Sequence, residues 1–413
     1  MACGATIAEG LGMAQASAEE LLREGAACHA RGEVALAERL YRRVLKLRPD
    51  DANALNLLAV AARQRGEPEA ALGLTARALA LQPGSPVFLA NHGGALAEAG
   101  RLAEAVAALR AALARRPADP VALRNLGQAL CALGEAPAAL APLRRATELA
   151  PATAEPWLAL AHALREAGTP GAAAAAERAL AVPGIAPGLA AQARFLLAAL
   201  GAGAVPDRAP AAYVRDLFDQ YAPRFDADLE GRLEYRTPAL LAALLAGAGI
   251  AADGARRVLD LGCGTGLSGI ALKPFARRLE GIDLSPRMLA AAARRGLYEA
   301  LHEADLLDWL PTRRAGFDLV AAADVLNYLG DLAPPLAAIA GALAPGGAAA
   351  FSIEAGEGAP YALGPGLRYR HDPAQVEALA AAAGLAILAA EDAVLRVERG
   401  VPVRGRLLVL RHR

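Results

Sequence analysis

The chain has 413 residues, 55% hydrophobic but only 4% aromatic, and its 43 basic and 43 acidic side chains cancel to a formal net charge of zero. That length calls for two or more cores, and the cancelled charge leaves no source for the long-range field by which nucleic-acid binders capture phosphate backbones. The four cysteines, Cys3, Cys28, Cys131 and Cys263, form no C-x-x-C pair, so neither a disulfide framework nor a metal site is expected, and a reducing cytoplasm fits.

The first half is periodic. Pro49, Pro83, Pro117 and Pro151 recur every 34 residues, with Gly25, Ala59, Gly93 and Gly127 in the same frame, as are Ala37, Ala71, Ala105 and Ala139. A small residue on the first helix of each repeat admits close approach of its partner, the alanine does so on the second helix, and proline stands where a helix must stop. A degenerate fifth repeat begins near Glu155, and residues 188–200 are expected as a capping helix, because the last repeat of an array otherwise exposes an apolar face. Helices of this array contain charges and prolines even in the alanine-rich stretch 172–200, so no membrane span is expected. Asn53, Asn56, Asn91, Arg124 and Asn125 are polar residues that fall near the starts of first helices. The pattern resembles the tetratricopeptide repeat over residues 18–185, and that resemblance implies a groove for a peptide or protein partner.

Residues 201–210, GAGAVPDRAP, have linker composition. The expected layout is therefore a tail over 1–17, a helical array over 18–200, the linker, and a second domain over 211–413. There, strand-like runs at 257–261, 279–283, 299–303, 317–322 and 348–353 alternate with helical stretches, which implies parallel crossovers and a doubly wound sheet. Val394–Glu398 and Arg404–Leu410, joined by a turn at 399–402, predict an antiparallel addition.

The sharpest local signal is Val258-Leu-Asp-Leu-Gly-Cys-Gly-Thr-Gly-Leu-Ser-Gly269. A strand runs into Gly262, Gly264 and Gly266, which allow a tight turn and close approach of a ligand to the backbone. The same residues satisfy G-x-G-x-x-G, the dinucleotide fingerprint, so the glycines alone leave the ligand open. Asp260, two residues ahead of the first glycine, suits an ammonium group and would repel a pyrophosphate. Asp283 ends the second strand, placed for ribose hydroxyls, a position where NAD enzymes also carry an acid. Asp305 follows the third strand and suits an adenine amino group.

With VLDLGCGTG, GIDLSPRMLAAA, EADLLDW and FDLVAAADVLNYLGDL in register, the second half resembles the class I S-adenosylmethionine-dependent methyltransferases, especially the ubiquinone and menaquinone biosynthesis-like group. The resemblance implies a Rossmann-like domain with a seven-stranded, mostly parallel sheet and an antiparallel C-terminal strand. It implies S-adenosylmethionine as cofactor, with Asp260 and the Gly262, Cys263, Gly264 and Gly266 loop at the methionine part. Asp283 falls to the ribose, Met288 to an adenine face, and Asp305 with Leu306 to the adenine edge, with Leu284 also among the cofactor-binding residues. Segment 217–226 resembles the lid of this group, where Tyr221 and Phe225 cover the cofactor, and Arg236 is a candidate counterion to the methionine carboxylate.

Methyl transfer is an in-line displacement that an enzyme accelerates chiefly by alignment in a dry pocket. A hydroxyl or ammonium acceptor also needs a base, for which Asp324 and Glu354, at the ends of the fourth and fifth strands, are candidates, followed by His302 and His371. Ala-Asp-Val-Leu-Asn-Tyr at 323–328 departs from the Pro-Pro-aromatic motif of nucleobase amino-methylating enzymes, which leaves a small molecule or a protein side chain as acceptor. The competing expectation is an interaction scaffold whose second domain binds cofactor without turnover.

Overall fold

The structure, a computed structural model, describes residues 17–231, 235–398 and 400–413. Of the expected N-terminal tail only Ser17 is described; Cys3 and Arg399 also lie outside the described residues. The chain divides into two compact units, residues 1–150 and 151–413.

In the first unit, eight helices follow one another among the described residues: α1 (Ala18–Ala30), α2 (Val34–Leu47), α3 (Ala52–Gln64), α4 (Pro68–Leu81), α5 (Pro86–Glu98), α6 (Leu102–Arg115), α7 (Pro120–Ala132) and α8 (Ala136–Leu149). The 34-residue period is written into their ends. Ser17, Asp51, Ser85 and Asp119 cap the first helix of each pair, each side chain accepting from a backbone N–H in the first turn. Gly32, Gly66, Gly100 and Gly134 make the turn to the second helix at φ between 77° and 83°, which side chains rarely adopt.

The periodic small residues act as expected. A β-carbon on Gly25, Gly93 or Gly127 would lie 2.6 Å from the Tyr41 ring, 2.6 Å from Leu109 and 2.3 Å from Leu143, respectively. Where the second repeat has Ala59 instead, the residue in the frame of Tyr41, Leu109 and Leu143 is the smaller Thr75. Along the array, Asn91 Nδ2 donates to Asn56 Oδ1 at 2.9 Å, and a concavity is lined by Asn53, Asn56, Leu57, Val87 and Phe88.

The second unit opens with α9 (Ala154–Glu166), α10 (Ala172–Leu180) and α11 (Pro187–Ala199), then α12 (Ala211–Tyr221), α13 (Phe225–Gly231) and α14 (Thr237–Gly247). Strands and helices then alternate: β1 (Arg256–Leu261), α15 (Leu267–Leu272), β2 (Ala276–Asp283), α16 (Pro286–Arg294), β3 (Ala300–Glu303), α17 (Leu306–Trp309), β4 (Phe317–Ala322), α18 (Ala333–Ala342) and β5 (Leu343–Glu354). A small hairpin, β6 (Tyr361–Leu363) and β7 (Tyr369–His371), precedes α19 (Pro373–Ala382), β8 (Leu385–Glu398) and β9 (Val401–His412). The seven-stranded sheet has the order β3-β2-β1-β4-β5-β9-β8, with β9 antiparallel to both neighbours. Alternate residues serve opposite cores: Leu259, Leu261, Val320 and Phe351 join α18 and α19, whereas Val258, Leu319 and Val409 join α14. Apolar cover on both faces is what a parallel sheet requires.

Two features differ from the sequence-based expectation. β8 begins at Leu385, nine residues ahead of the predicted run, because pairing with β9 recruits an alanine-rich stretch with little intrinsic strand preference. By packing, α9 to α11 belong to the unit that holds the sheet. His162 of α9 stacks on Tyr213 of α12 with centroids 6.3 Å apart, Phe195 of α11 contacts Tyr213 at 5.4 Å, and Arg165 donates to the Pro365 carbonyl at 2.7 Å. The linker segment is itself held. Ala209 N–H donates to the Tyr328 carbonyl, Gly330 N–H to the Asp207 carbonyl, and the Tyr369 hydroxyl to the Pro206 carbonyl.

The glycine contacts set a test: Gly127→Val should destabilise the first unit by about 1–3 kcal/mol through overpacking against Leu143. Denaturant unfolding read against Gly73→Val, whose site has nothing within 4 Å of an added β-carbon, measures it.

Candidate active site

The C-terminal ends of β1 to β4 and the helices before β1 enclose a cavity of about 270 Å³. Its rim begins where β1 ends. Gly262 takes φ 59° and its α-carbon lies so near Val325 that a β-carbon would meet the valine side chain at 2.5 Å. The turn is stitched to β2: Cys263 N–H donates to the Ile282 carbonyl at 3.0 Å, and Gly264 N–H to Asp283 Oδ2 at 2.9 Å.

Three acids stand at the ends of the adjacent strands β1, β2 and β3. Asp260 is fully buried; its Oδ2 accepts from Ser268 Oγ and the Tyr298 hydroxyl, both at 2.6 Å, while Oδ1 has no partner among the described residues. Burial pushes its carboxyl up to about 7, against the pull of those two donors and with a further push from the Asp283 charge. Asp283 lines the cavity and is pushed up to about 6 by burial, although N–H groups of Ser285 and Gly264 donate to it. Asp305 lines it too, caps α17 through Leu307 N–H, and is paired with Arg208.

A cover comes from α12 and α13. Phe218, Tyr221 and Phe225 line the cavity and pack edge to face, with Tyr221 and Phe225 centroids 5.3 Å apart. Two acids clasp this cover to the glycine turn and to α16. Asp219 accepts from Ser285 Oγ at 2.5 Å and from Arg287 N–H, and Asp226 accepts from Thr265 Oγ1 and Arg295.

The opposite wall is a buried ionic cluster. Arg396 of β8 donates to Asp324 at 3.0 Å, to Glu398 at 2.6 Å and to Glu354, and Arg368 donates to Glu354 at 2.9 Å and to Glu398. Asp324 sits at φ 57°, held by Ser352, and burial keeps its carboxyl above the usual range despite Arg396. Three carboxylates thus share two guanidiniums.

Of the residues singled out in the sequence, Gly262, Gly264, Tyr221, Phe225, Asp283, Leu284, Asp305, Leu306 and Asp324 line this one cavity. Others stand apart. Asp260 is behind the glycine turn, Cys263 is buried with its sulfur against Gly281, and Met288 is fully buried; none of the three is part of the lining, nor is Gly266. Arg236 is exposed, and Tyr235 beside it reaches the cavity instead. Glu354 lies behind Arg396 and Arg368, and neither histidine candidate borders the cavity: His371 meets the carbonyls of Leu329 and Gly330, and His302 meets Glu280. Arg208, Arg368, Arg396 and Glu398 line the cavity without having been anticipated. Charges alternating with apolar residues in Val394-Leu-Arg-Val-Glu398 were the available signal for two of them.

Comparison with known proteins places a class on these two parts. Residues 258–347 match the family model described as a methyltransferase domain, and residues 29–86 and 91–154 match that of the tetratricopeptide repeat. The chain therefore carries a methyltransferase domain behind tetratricopeptide repeats. It is 43% identical over 96 residues to a trans-aconitate 2-methyltransferase of Pseudomonas aeruginosa, a match that spans 22% of this chain and 33% of the relative. To a ubiquinone biosynthesis O-methyltransferase of Aromatoleum aromaticum it is 33% identical over 102 residues, 24% of this chain and 43% of the relative. The match thus spans under half the length of either relative. Among solved structures, an S-adenosylmethionine-dependent methyltransferase from Mesorhizobium loti aligns with 42% of this chain and 96% of its own, at 23% identity and a TM-score of 0.35.

The ionic wall makes a prediction. Arg396→Met leaves three carboxylates with Arg368 alone, and the loss should be about 3–5 kcal/mol at neutral pH. Without the guanidinium, the raised Asp324 carboxyl rises further, so its penalty vanishes below its unfolded-state value and grows as pH climbs through the folded one. Unfolding midpoints should therefore differ from wild type much less at pH near 4 than at pH near 8.

Proposed function

We propose that this chain is an S-adenosylmethionine-dependent methyltransferase whose acceptor is a small molecule or a protein side chain, and whose repeats hold a protein partner or the protein substrate. The observation that carries the reading is that Asp283 and Asp305 line one covered cavity at the ends of adjacent strands, while Asp260 at the next strand end, behind the glycine turn, keeps one oxygen unsatisfied among the described residues. An unpaired buried carboxylate oxygen is costly and suits a cationic ligand group. A dinucleotide pyrophosphate at this turn would meet two carboxylates instead.

In this arrangement Asp260 and the turn Gly262 to Gly266 take the amino-acid end, Asp283 accepts from the ribose hydroxyls, and Asp305 with Leu306 borders the adenine, with Leu284 in the same lining. Bound there, the cofactor supplies an electrophilic sulfonium methyl group to an acceptor nucleophile. Phe218, Tyr221 and Phe225 exclude water, which strengthens electrostatic interactions in the cavity. At the acceptor side, Asp324 borders the cavity whereas Glu354 is enclosed by two arginines, so Asp324 is the better placed of the two to take a proton. Polar side chains along the repeats, Asn53 and Asn56 among them, suit a peptide backbone.

Calorimetric titration with S-adenosylmethionine and, separately, NAD tests the cofactor: micromolar binding of the former alone is expected, and binding of neither would favour a scaffold. Asp283→Ala should weaken the cofactor by roughly 10- to 100-fold, the worth of hydrogen bonds to a charged acceptor; an unchanged affinity would remove Asp283 from the ribose.

A further inference from the structure

The third glycine of the G-x-G-x-x-G run, Gly269, is accounted for by a protein side chain. A β-carbon on Gly269 would lie 2.3 Å from the Tyr298 hydroxyl, one on Gly281 would lie 3.0 Å from the Tyr298 ring, and one on Gly266 would lie 3.1 Å from it. Three glycines from the turn, from α15 and from β2 thus form a slot for a tyrosine that arrives from the loop between α16 and β3. What the slot achieves is visible at the hydroxyl, which donates to Asp260 Oδ2 at 2.6 Å beside Ser268 Oγ, also at 2.6 Å. Both donors fall on one oxygen. The other, Oδ1, is buried without a partner among the described residues.

A carboxylate with free rotation would divide its donors between its two oxygens. Here rotation is blocked, because two hydroxyls fixed on separate elements hold the same oxygen. Asp260 is not part of the cavity lining, so a ligand group that meets Oδ1 reaches behind the glycine turn. We propose that Tyr298 is a positioning residue for cofactor binding: seated in the slot of Gly266, Gly269 and Gly281, it holds Asp260 with Oδ1 presented to the ammonium group of the amino-acid end of S-adenosylmethionine. The proposal rests on the cofactor reading above. Tyr298 touches no reacting atom; it acts through Asp260.

The same hydrogen bond governs when Asp260 is charged. Besides Tyr298 and Ser268, the groups that act on it are Asp283 from β2, Cys263 in the turn and Tyr235 ahead of α14. Losing the Tyr298 hydroxyl removes a donor to the carboxylate form, so Asp260 should ionise at higher pH, and ligand affinity that requires the anion should rise only at higher pH. The donors to Asp283 do not involve Tyr298, so its titration is common to wild type and variant.

The test is calorimetric titration of the full chain from pH 5.5 to 8.5 with two probes, S-adenosylhomocysteine and 5′-methylthioadenosine, the latter lacking the amino-acid end. Tyr298→Phe should bind S-adenosylhomocysteine about tenfold more weakly at pH 7, the effect of one hydrogen bond to a charged group. Its affinity curve should move to higher pH, and methylthioadenosine should bind as it does to wild type. Ser268→Ala, which removes the second donor with a smaller change of volume, should move both readouts the same way. Equal weakening of both probes with no displacement along the pH axis would reduce Tyr298 to packing and overturn the proposal, as would unchanged binding of S-adenosylhomocysteine. If wild type binds neither probe, the cofactor reading itself fails.

Discussion

The second unit is organised around a carboxylate that folding leaves half satisfied. Asp260 sits fully buried at the end of a central strand, flanked by β2 and β4, where desolvation strongly disfavours its charge. Apolar packing alone would place a hydrophobic residue there, as it does at Val258 and Leu261 of the same strand. Much of the neighbouring structure answers to that acid: the tyrosine and serine hydroxyls on one oxygen, the glycines that admit the tyrosine, and the tight turn that carries the chain past the cavity. Retaining a buried acid with an empty acceptor is a stability loss that a ligand can offset, which is how binding sites commonly differ from cores.

The cavity's other walls follow a complementary logic. Its cover is held by acids, Asp219 and Asp226, that reach the start of α16, the glycine turn and Arg295, so covering the site and shaping the turn are one arrangement. Across from it, Asp324, Glu354 and Glu398 share Arg368 and Arg396, an excess of one carboxylate inside a buried network. Such networks hold geometry well and tolerate loss of a member poorly. They also leave the two guanidiniums occupied by protein acids. The helices before the linker contribute through Tyr213, which joins α12 of the cover to His162 and Phe195 of α9 and α11.

The repeat was legible because its signals are local and recur in one frame: small residues where helices touch and prolines between them. The central strands were legible as apolar runs, and the acids stood out because each lies within two residues of a strand's C-terminal end. Long-range pairing hid the rest. Arg208 meets Asp305 from 97 positions away, Arg396 meets Glu354 from 42, and Tyr298 meets Asp260 from 38. No periodicity announces such partners. The first half of β8 has the alanine content of a helix and is a strand only because β9 pairs with it. The linker composition of 201–210 gave no hint that Asp207 and Ala209 bond to the chain near Tyr328.

The claim on which the account turns is that burial holds the Asp260 carboxyl up at about 7 and that a cationic ligand group lowers it. Its most direct test is the number of protons released when S-adenosylhomocysteine binds near pH 6, obtained from binding heats in buffers of different ionisation enthalpy. The account predicts release of up to about one proton from Asp260 as its carboxyl ionises against the ligand ammonium, and loss of that release in Asp260→Asn. Binding heats independent of the buffer, or the same proton release from the variant, would contradict it.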